Sequence, residues 1–437
     1  MPTAAFTTLG CKVNQYETQA ILESFESAGF AVVPLGQAAD VVVVNTCSVT
    51  SVAEAKSRYT VRKALRDNPT AKLVVTGCAA QMSLNKAEEF DGADVLVPNP
   101  EKLDALGHLF RRFPEFEARL AREARPTLAP PVGRTRATLK VQDGCDVFCS
   151  YCSIPFTRPG LKSRPVIEVV EEARRLVDRG HLELVLTGVL IGAYGPATGS
   201  GGPDFESLVE RVAAACPEAR LRISSIEMRQ VTPRLLELAA SGVVVPHLHI
   251  PLQSGDDGVL RDMNRPYSQR DYLDLCAEAR RRVPDLAITT DILVGFPTES
   301  EERFASSVHV CREVGFLKAH VFPFSPRFGT PADGFGDPVS PEEKRRRSHV
   351  LTETVRPEAF LRRFLGRTVE ALVEVKRGSG ETMRGMTPHG FEVSFAGSPS
   401  LARSFARVRV DEVRDGVAFG ELAHESRAAD RRVLAIG

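Results

Sequence analysis

Residues 142–160, QDGCDVFCSYCSIPFTRPG, place Cys145, Cys149 and Cys152 in the spacing C-x3-C-x2-C. Three thiols in one short loop constrain the fold more than any other feature of the chain, because they have to converge on a shared ligand. A structural zinc ion takes four ligands and a disulfide takes two. Zinc would need a fourth ligand from elsewhere, for which His181, His247 or His249 can be nominated. Thiolates also suit iron–sulfur clusters. Three of them on a four-iron cube leave one iron without a protein ligand, and an open iron is a place to bind and reduce a small molecule.

Nine cysteines in 437 residues favour metal binding or catalysis over disulfides if the compartment is reducing. The opening MPTAAFTTLG has neither a basic n-region nor a long apolar h-region, and ADVVVVNTC is too short to span a bilayer. A cytoplasmic protein without a membrane partner is expected. Basic and acidic residues balance at 56 each, so global charge gives no support for a nucleic-acid partner and leaves only local basic surfaces. The length exceeds one core and predicts two or three domains.

The first section alternates strand and helix. AFTTL, ADVVVVNT, AKLVVTG and ADVLVPN read as strands of an open α/β sheet. NQYETQAILESFESAGF reads as a helix, capped by Asn14 with Glu17 three residues on, and closed by Gly29. Residues 100–135 read as a charged, proline-rich connector. Six further strands follow (137–142, 182–188, 221–227, 245–251, 286–296 and 318–325), spaced for helical crossovers, which predicts a curled parallel sheet or partial barrel with its chemistry at the C-terminal strand ends. The tail switches to short alternating runs separated by turns, the pattern of a small antiparallel β-domain, OB-like in type.

Cys216, Cys276 and Cys311 fall in or at the ends of predicted helices and read as packing residues. Cys11, Cys47 and Cys78 each directly follow a predicted strand of the first section. The C-terminal ends of parallel strands share one edge, so these three should converge in space.

C-x3-C-x2-C after the first strand of a partial barrel, with Tyr151 before the last cysteine, resembles the radical S-adenosylmethionine enzymes. TLGCKVNQYET, NTCSVT, TGCAAQ, LHIPLQSG, DILVGFPTES and HVFPFSPRFGTPA narrow the resemblance to the methylthiotransferases. Within them LGCKVNQYET is similar to the tRNA N6-threonylcarbamoyladenosine methylthiotransferases. The resemblance implies a flavodoxin-like N-terminal domain (1–113), a linker (114–130), a radical SAM core of partial (βα)6 barrel form (131–362) and an RNA-binding TRAM domain (363–437). It further implies two 4Fe-4S clusters, one on Cys145, Cys149 and Cys152, the other on Cys11, Cys47 and Cys78. S-adenosylmethionine would be both methyl donor and radical source. The target would be carbon 2 of the modified adenosine at position 37 in a tRNA anticodon stem-loop. Further partners would be a low-potential electron donor such as flavodoxin or ferredoxin, and a sulfur donor. Carbon 2 of adenine has no acidic proton and no leaving group, so a radical route makes chemical sense.

Catalysis would rest on the cluster ligands alone. Tyr151, Thr187, Gly188, Glu227 and Gln253 are the candidate cofactor contacts. TGVLIGAYG is either a cradle for the cofactor or a tight turn, and Leu190 stands where the family often has a polar residue. Glu227 and Gln253 either bind cofactor hydroxyls or the base, or satisfy backbone groups at strand ends. His247 and His249 share one face of a strand and read as cavity-lining residues. TRPGLKSR departs from the family's R-G-R-x-x-S-R, with Pro159 inserted and Leu161 where a basic residue is usual; Arg158, Lys162 and Arg164 keep its positive character, and the departure bears on one local RNA or cofactor contact, not on the reaction class. EEKRRR, FLRRFLGR and ARSFARVRV make a basic track toward a tRNA backbone, or a solvated helix face in the first case. The competing functions are the same chemistry on isopentenyladenosine or on a ribosomal-protein aspartate, and a zinc-stabilised RNA-binding protein without catalysis.

Overall fold

A computed structural model describes residues 1–90, 92–120, 135–195, 202–374 and 382–426. The chain divides into two compact units that interleave along the sequence. The first holds Met1–Pro131, Gly144–Gly160 and Ser325–Gly334, and the second holds the rest. The expected connector over 100–135 is largely helical where it is described, with a short 3-10 turn over Asn99–Asp104 and helices over Ala105–Arg112 and Pro114–Leu120, and 121–134 lie outside the described residues.

The first unit carries five strands, β1 (Thr3–Thr8), β2 (Ala31–Val32), β3 (Val41–Thr46), β4 (Lys72–Gly77) and β5 (Val95–Leu96), in the order β2-β1-β3-β4-β5. All four pairings are parallel. β3 is buried along its whole length, as a central strand covered on both faces requires. Ala5, Val42, Val44 and Leu73 pack on one face; Ile21, Phe25, Val43 and Val74 pack on the other. Helix α1 (Lys12–Ala28) follows β1, α2 (Ser51–Asp67) follows β3, and α3 (Cys78–Asn85) follows β4. Gly29 ends α1 at φ +110°, its amide donating to Phe25 O and Glu26 O.

The expected capping box of α1 is absent. Cys11 occupies the N-cap position without a side-chain cap, and Asn14 and Glu17 are both buried inside the unit. Their spacing matches a cap, but the N-cap falls three residues earlier, at Cys11, and both side chains turn inward.

In the second unit six parallel strands succeed one another in chain order. β6 (Arg136–Lys140), β9 (Glu183–Thr187) and β10 (Arg220–Ile223) form one sheet; β11 (His247–His249), β12 (Ala287–Val294) and β13 (Lys318–Pro323) form another. A two-strand ribbon, β7 (Gln142–Asp143) with β8 (Lys162–Ser163), lies between β6 and β9 in sequence. Backbone bonds from Val245 N to Leu221 O and from Ile226 N to His249 O join the two sheets. The core behind the strands is aliphatic, built on Leu139, Leu186, Ile223, Leu248 and Ile288.

The tail closes into a barrel of β14 (Thr368–Val373), β15 (Thr382–Met386), β16 (Glu392–Ala396), β17 (Phe405–Arg414) and β18 (Val417–Ser426), in the order β14-β15-β16-β18-β17. It is not wholly antiparallel, because β16 and β18 run parallel. Glu183 is fully buried beneath Arg220 and Arg222, whose guanidinium groups also donate to the carbonyls of Met386, Thr387 and Pro388. No described helix is long and apolar enough to cross a membrane.

Candidate functional site

Cys11, Cys47 and Cys78 follow three adjacent strands, so the expected convergence occurs at one sheet edge. Adjacent parallel strands stand about 4.8 Å apart, which brings residues at the ends of β1, β3 and β4 within reach of one another. A polar ladder fixes these ends. Asn14 Nδ2 donates to Leu9 O and to Thr46 O, both at 2.9 Å, tying the Cys11 loop to the Cys47 loop. Thr46 Oγ1 donates to Thr76 O at 2.5 Å and accepts from Ala80 N at 3.1 Å, tying the Cys47 loop to α3. Ser57 of α2 clamps Cys47 by accepting from its amide and donating to its carbonyl, each at 3.0 Å.

Glycine is needed at two of these turns. A Cβ on Gly10 (φ +96°) would lie 2.6 Å from Cys47 Sγ, and one on Gly77 (φ +96°) would lie 2.4 Å from Thr46 O. Cys47 and Cys78 are buried and Cys11 is exposed. Burial pushes the Cys47 thiol up to about 11, and Cys78 and Cys11 push in the same direction. The Cys11 thiol is also raised, first by the protein mass crowding it, against the pull of Arg158.

The Cys145 loop belongs to the same compact unit. It contains Phe148 at φ +50°, a strained position for a non-glycine residue, inside the C-x3-C spacing. Cys149 is buried, and Cys152 N donates to Cys149 O at 3.0 Å. Tyr151 is half-buried between them. Asn99 Nδ2 donates to Thr157 O at 2.7 Å and lies 3.9 Å from Cys78 Sγ.

Arg158 has a role that the sequence reading did not assign. It is buried and donates to Glu17 Oε1 (2.8 Å), Glu17 Oε2 (2.7 Å) and Asn14 Oδ1 (2.9 Å). Lys102 Nζ donates to Glu17 Oε2 at 2.7 Å. One buried carboxylate therefore bonds two buried cations. Both cations lie near the first triad: Arg158 acts on Cys11, and Cys78 acts on Lys102. No spacing rule exposes this triad, because its members lie in three distant segments. Of the other two basic positions, Lys162 is exposed, and Arg164 donates to Lys140 O (2.8 Å) and Glu172 (2.6 Å).

In the second unit Thr187, Gly188, Glu227 and Gln253 all lie at or beyond C-terminal strand ends. Thr187 is buried at the end of β9. The loop after it is a tight turn closed by Gln142, whose Oε1 accepts from Val189 N (3.0 Å) and Leu190 N (2.8 Å). Gly192 N donates to Gln230 and Gly195 N to Ser163. Glu227 is gripped by the buried guanidinium of Arg265, which also donates to Tyr267 OH at 3.1 Å. Gln253 sits at φ +64°, its backbone bonded on both sides to β12. His249 Nε2 lies 3.2 Å from Asp291 and its Nδ1 2.9 Å from Thr289 Oγ1. His320 completes a group that could hold a metal ion; sequence reasoning missed Asp291 and His320, although both lie on neighbouring strands.

EEKRRR is largely self-neutralised. Lys344 and Arg347 are buried, Arg345 pairs with Glu342, and Arg346 with Glu343 and Glu301. Arg363 and Arg367 both pair with Asp285. Arg407 of β17 is exposed. Cys216, Cys276 and Cys311 are buried, with thiols pushed by burial to about 11, 12 and 12.

Residues 3–98 match the family described as "Uncharacterized protein family UPF0004", and residues 139–311 match the Radical SAM superfamily. The chain is 37% identical to the threonylcarbamoyladenosine tRNA methylthiotransferase MtaB of Bacillus subtilis (strain 168), covering 94% of each chain. To the protein of the same name from Chlamydia pneumoniae it is 36% identical, over 96% of this chain and 98% of that one. The chain belongs to the radical S-adenosylmethionine tRNA methylthiotransferase family. Such methylthiotransferases are enzymes that use S-adenosylmethionine and 4Fe-4S clusters. The radical S-adenosylmethionine methyltransferase TsrM of Kitasatospora setae superposes with a TM-score of 0.50 at 15% identity, over 76% of this chain and 77% of that one, a likeness of fold.

Proposed function

We propose that this methylthiotransferase inserts a methylthio group at carbon 2 of N6-threonylcarbamoyladenosine at position 37 of tRNA, with one 4Fe-4S cluster on each cysteine triad. The observation that carries the reading is the gathering of two three-cysteine sets, none in a disulfide, into one compact unit. The donor set fits such clusters. The thiols of the first triad act on one another, Gly10 leaves the space that a side chain would take from Cys47, and two buried cations stand near the triad, Arg158 by Cys11 and Lys102 by Cys78.

Cys145, Cys149 and Cys152 would hold the cluster whose reducing electron turns S-adenosylmethionine into a radical source, and Cys11, Cys47 and Cys78 the one beside the sulfur to be inserted. The chain itself orients and shields. Asn14, Thr46 and Asn99 fix the loops, and burial of Cys47, Cys78 and Cys149 keeps water from the thiolates. Thr187, Gly188, Glu227 and Gln253 of the second unit would contact S-adenosylmethionine, with Arg265 holding Glu227 in place; Tyr151 remains a candidate contact from the sequence.

A flavodoxin-like first domain, within 1–113, is supported by the strand order β2-β1-β3-β4-β5. An OB-like TRAM domain, within 363–437, is supported by five-strand closure, a form suited to single-stranded RNA. The core would span 131–362, joined by a linker at 114–130. The anticodon stem-loop, a low-potential donor such as flavodoxin or ferredoxin, and a sulfur donor complete the reaction in the cytoplasm.

The test is nucleoside analysis of tRNA from a strain deleted for this protein. Loss of 2-methylthio-threonylcarbamoyladenosine alone is expected, and loss of the isopentenyladenosine counterpart instead would refute the substrate. Cys149→Ala should abolish 5′-deoxyadenosine formation. Cys47→Ala should permit it and block sulfur insertion.

A further inference from the structure

The segment Ser325–Gly334 is far from either cysteine set in sequence, yet it is bonded to a loop of each. Ala332 N donates to Ser150 O at 2.8 Å, between Cys149 and Cys152. Ser51 N donates to Ser325 Oγ at 3.4 Å, and Arg327 donates to Ser48 O, next to Cys47. Arg327 also donates to Glu54 Oε2 at 3.0 Å, and its side chain is only 8% exposed. Thr330 closes the turn by donating to Arg327 O, so the staple holds without any charge. A buried guanidinium stays charged and is costly to desolvate. The bonds to Ser48 O and Ser150 O set this segment beside Cys47 and beside Cys149 and Cys152, and Cys47 and Cys152 both act on Arg327 in favour of its charge.

We propose that Arg327 is the shared counter-cation of the two cysteine triads and raises the reduction potential of the cluster on each. The inference rests on the reading that both triads hold clusters. Adding an electron makes a cluster more negative, so a fixed cation favours the reduced form and a nearby carboxylate opposes it. Glu54 is that carboxylate, and the two side chains should therefore act with opposite sign.

The experiment is a potentiometric titration of anaerobic, iron- and sulfide-reconstituted full-length protein, followed by electron paramagnetic resonance. Cys47→Ala and Cys149→Ala assign the two signals. Arg327→Gln should lower the reduced-to-oxidised ratio of both clusters about tenfold at fixed potential, about 59 mV for a one-electron couple. Glu54→Gln should raise it, and Arg327→Lys should keep most of the wild-type value. Potentials unchanged in Arg327→Gln, or moving the same way in Arg327→Gln and Glu54→Gln, overturn the inference. If Arg327→Gln fails to retain iron, Glu54→Gln decides alone: a rise supports the role and no rise refutes it. A wild-type protein lacking two reducible signals instead refutes the two-cluster reading on which the inference stands.

Discussion

Glu17→Gln tests the buried charge cluster directly. Glu17 accepts three charge-assisted hydrogen bonds, one from Lys102 and two from Arg158, with all three side chains almost fully buried. The amide keeps the shape and one acceptor but removes the only anion of the triad. Breaking a buried pair by deleting one partner costs about 3–5 kcal/mol, since the remaining charge is left uncompensated. Two cations lose their shared carboxylate here, so the upper part of that range is expected. For a unit of this size each kcal/mol lowers the melting temperature by about 2–4 °C. Thermal unfolding of the apoprotein should therefore show a loss of roughly 10–20 °C at neutral pH. The deficit should shrink at alkaline pH. Lys102 already titrates below its usual value, through burial first and Arg158 after it, against the pull of Glu17. Without Glu17 it titrates lower still, the folded state then binds fewer protons than the unfolded one, and stability rises with pH. A second substitution, Lys102→Met, should restore part of the loss. A destabilisation below about 1 kcal/mol, within the range of an exposed ion pair, would refute the reasoning.

Gly10→Ala should cost the first triad its iron while the second keeps its own, because the new Cβ collides with Cys47 Sγ; iron content near half of wild type is the readout. His389 packs against Phe364 and Phe391, near Asp285, Arg367, Arg222 and Arg220, and burial lowers its pKa from 6.5 to about 4. Its neutral form thus contributes stability that is present above pH 6.5 and lost as pH falls through 4, about 3 kcal/mol in full. Urea unfolding across that window should show the loss, and His389→Phe should flatten it. Arg407→Ala should weaken tRNA binding and reduce its salt slope by about 0.7–0.9, one phosphate contact. Arg346→Ala should leave the slope unchanged, since Glu343 and Glu301 already occupy that guanidinium.

What the sequence disclosed followed from short-range rules. The apolar run at β3 and the cysteines directly after β1, β3 and β4 were legible because parallel strands end on a common edge. β15 escaped because TMRGM carries no apolar alternation, and it becomes a strand only through pairing with β14 and β16. Asn14 and Glu17 were misread because a capping signature and an inward-facing helix stripe share the same spacing. Arg158 stood out only as one charge of a basic stretch, and Arg327 only as a member of HVFPFSPRFGTPA. Their partners lie more than a hundred residues away, and no local pattern reports a pairing of that kind.

The interleaving of the two units bears on how the protein can be made and taken apart. A polypeptide ending near residue 131 contains the whole five-stranded sheet, yet lacks Arg158, Arg327 and three of the six clustered thiols that complete the same folded body. A ribosome must deliver the chain past residue 334 before that body can finish assembling. Synthesis therefore runs through an extended stage in which reactive sulfhydryls wait for their neighbours, a window in which a chaperone or a cluster-delivery protein has something to protect.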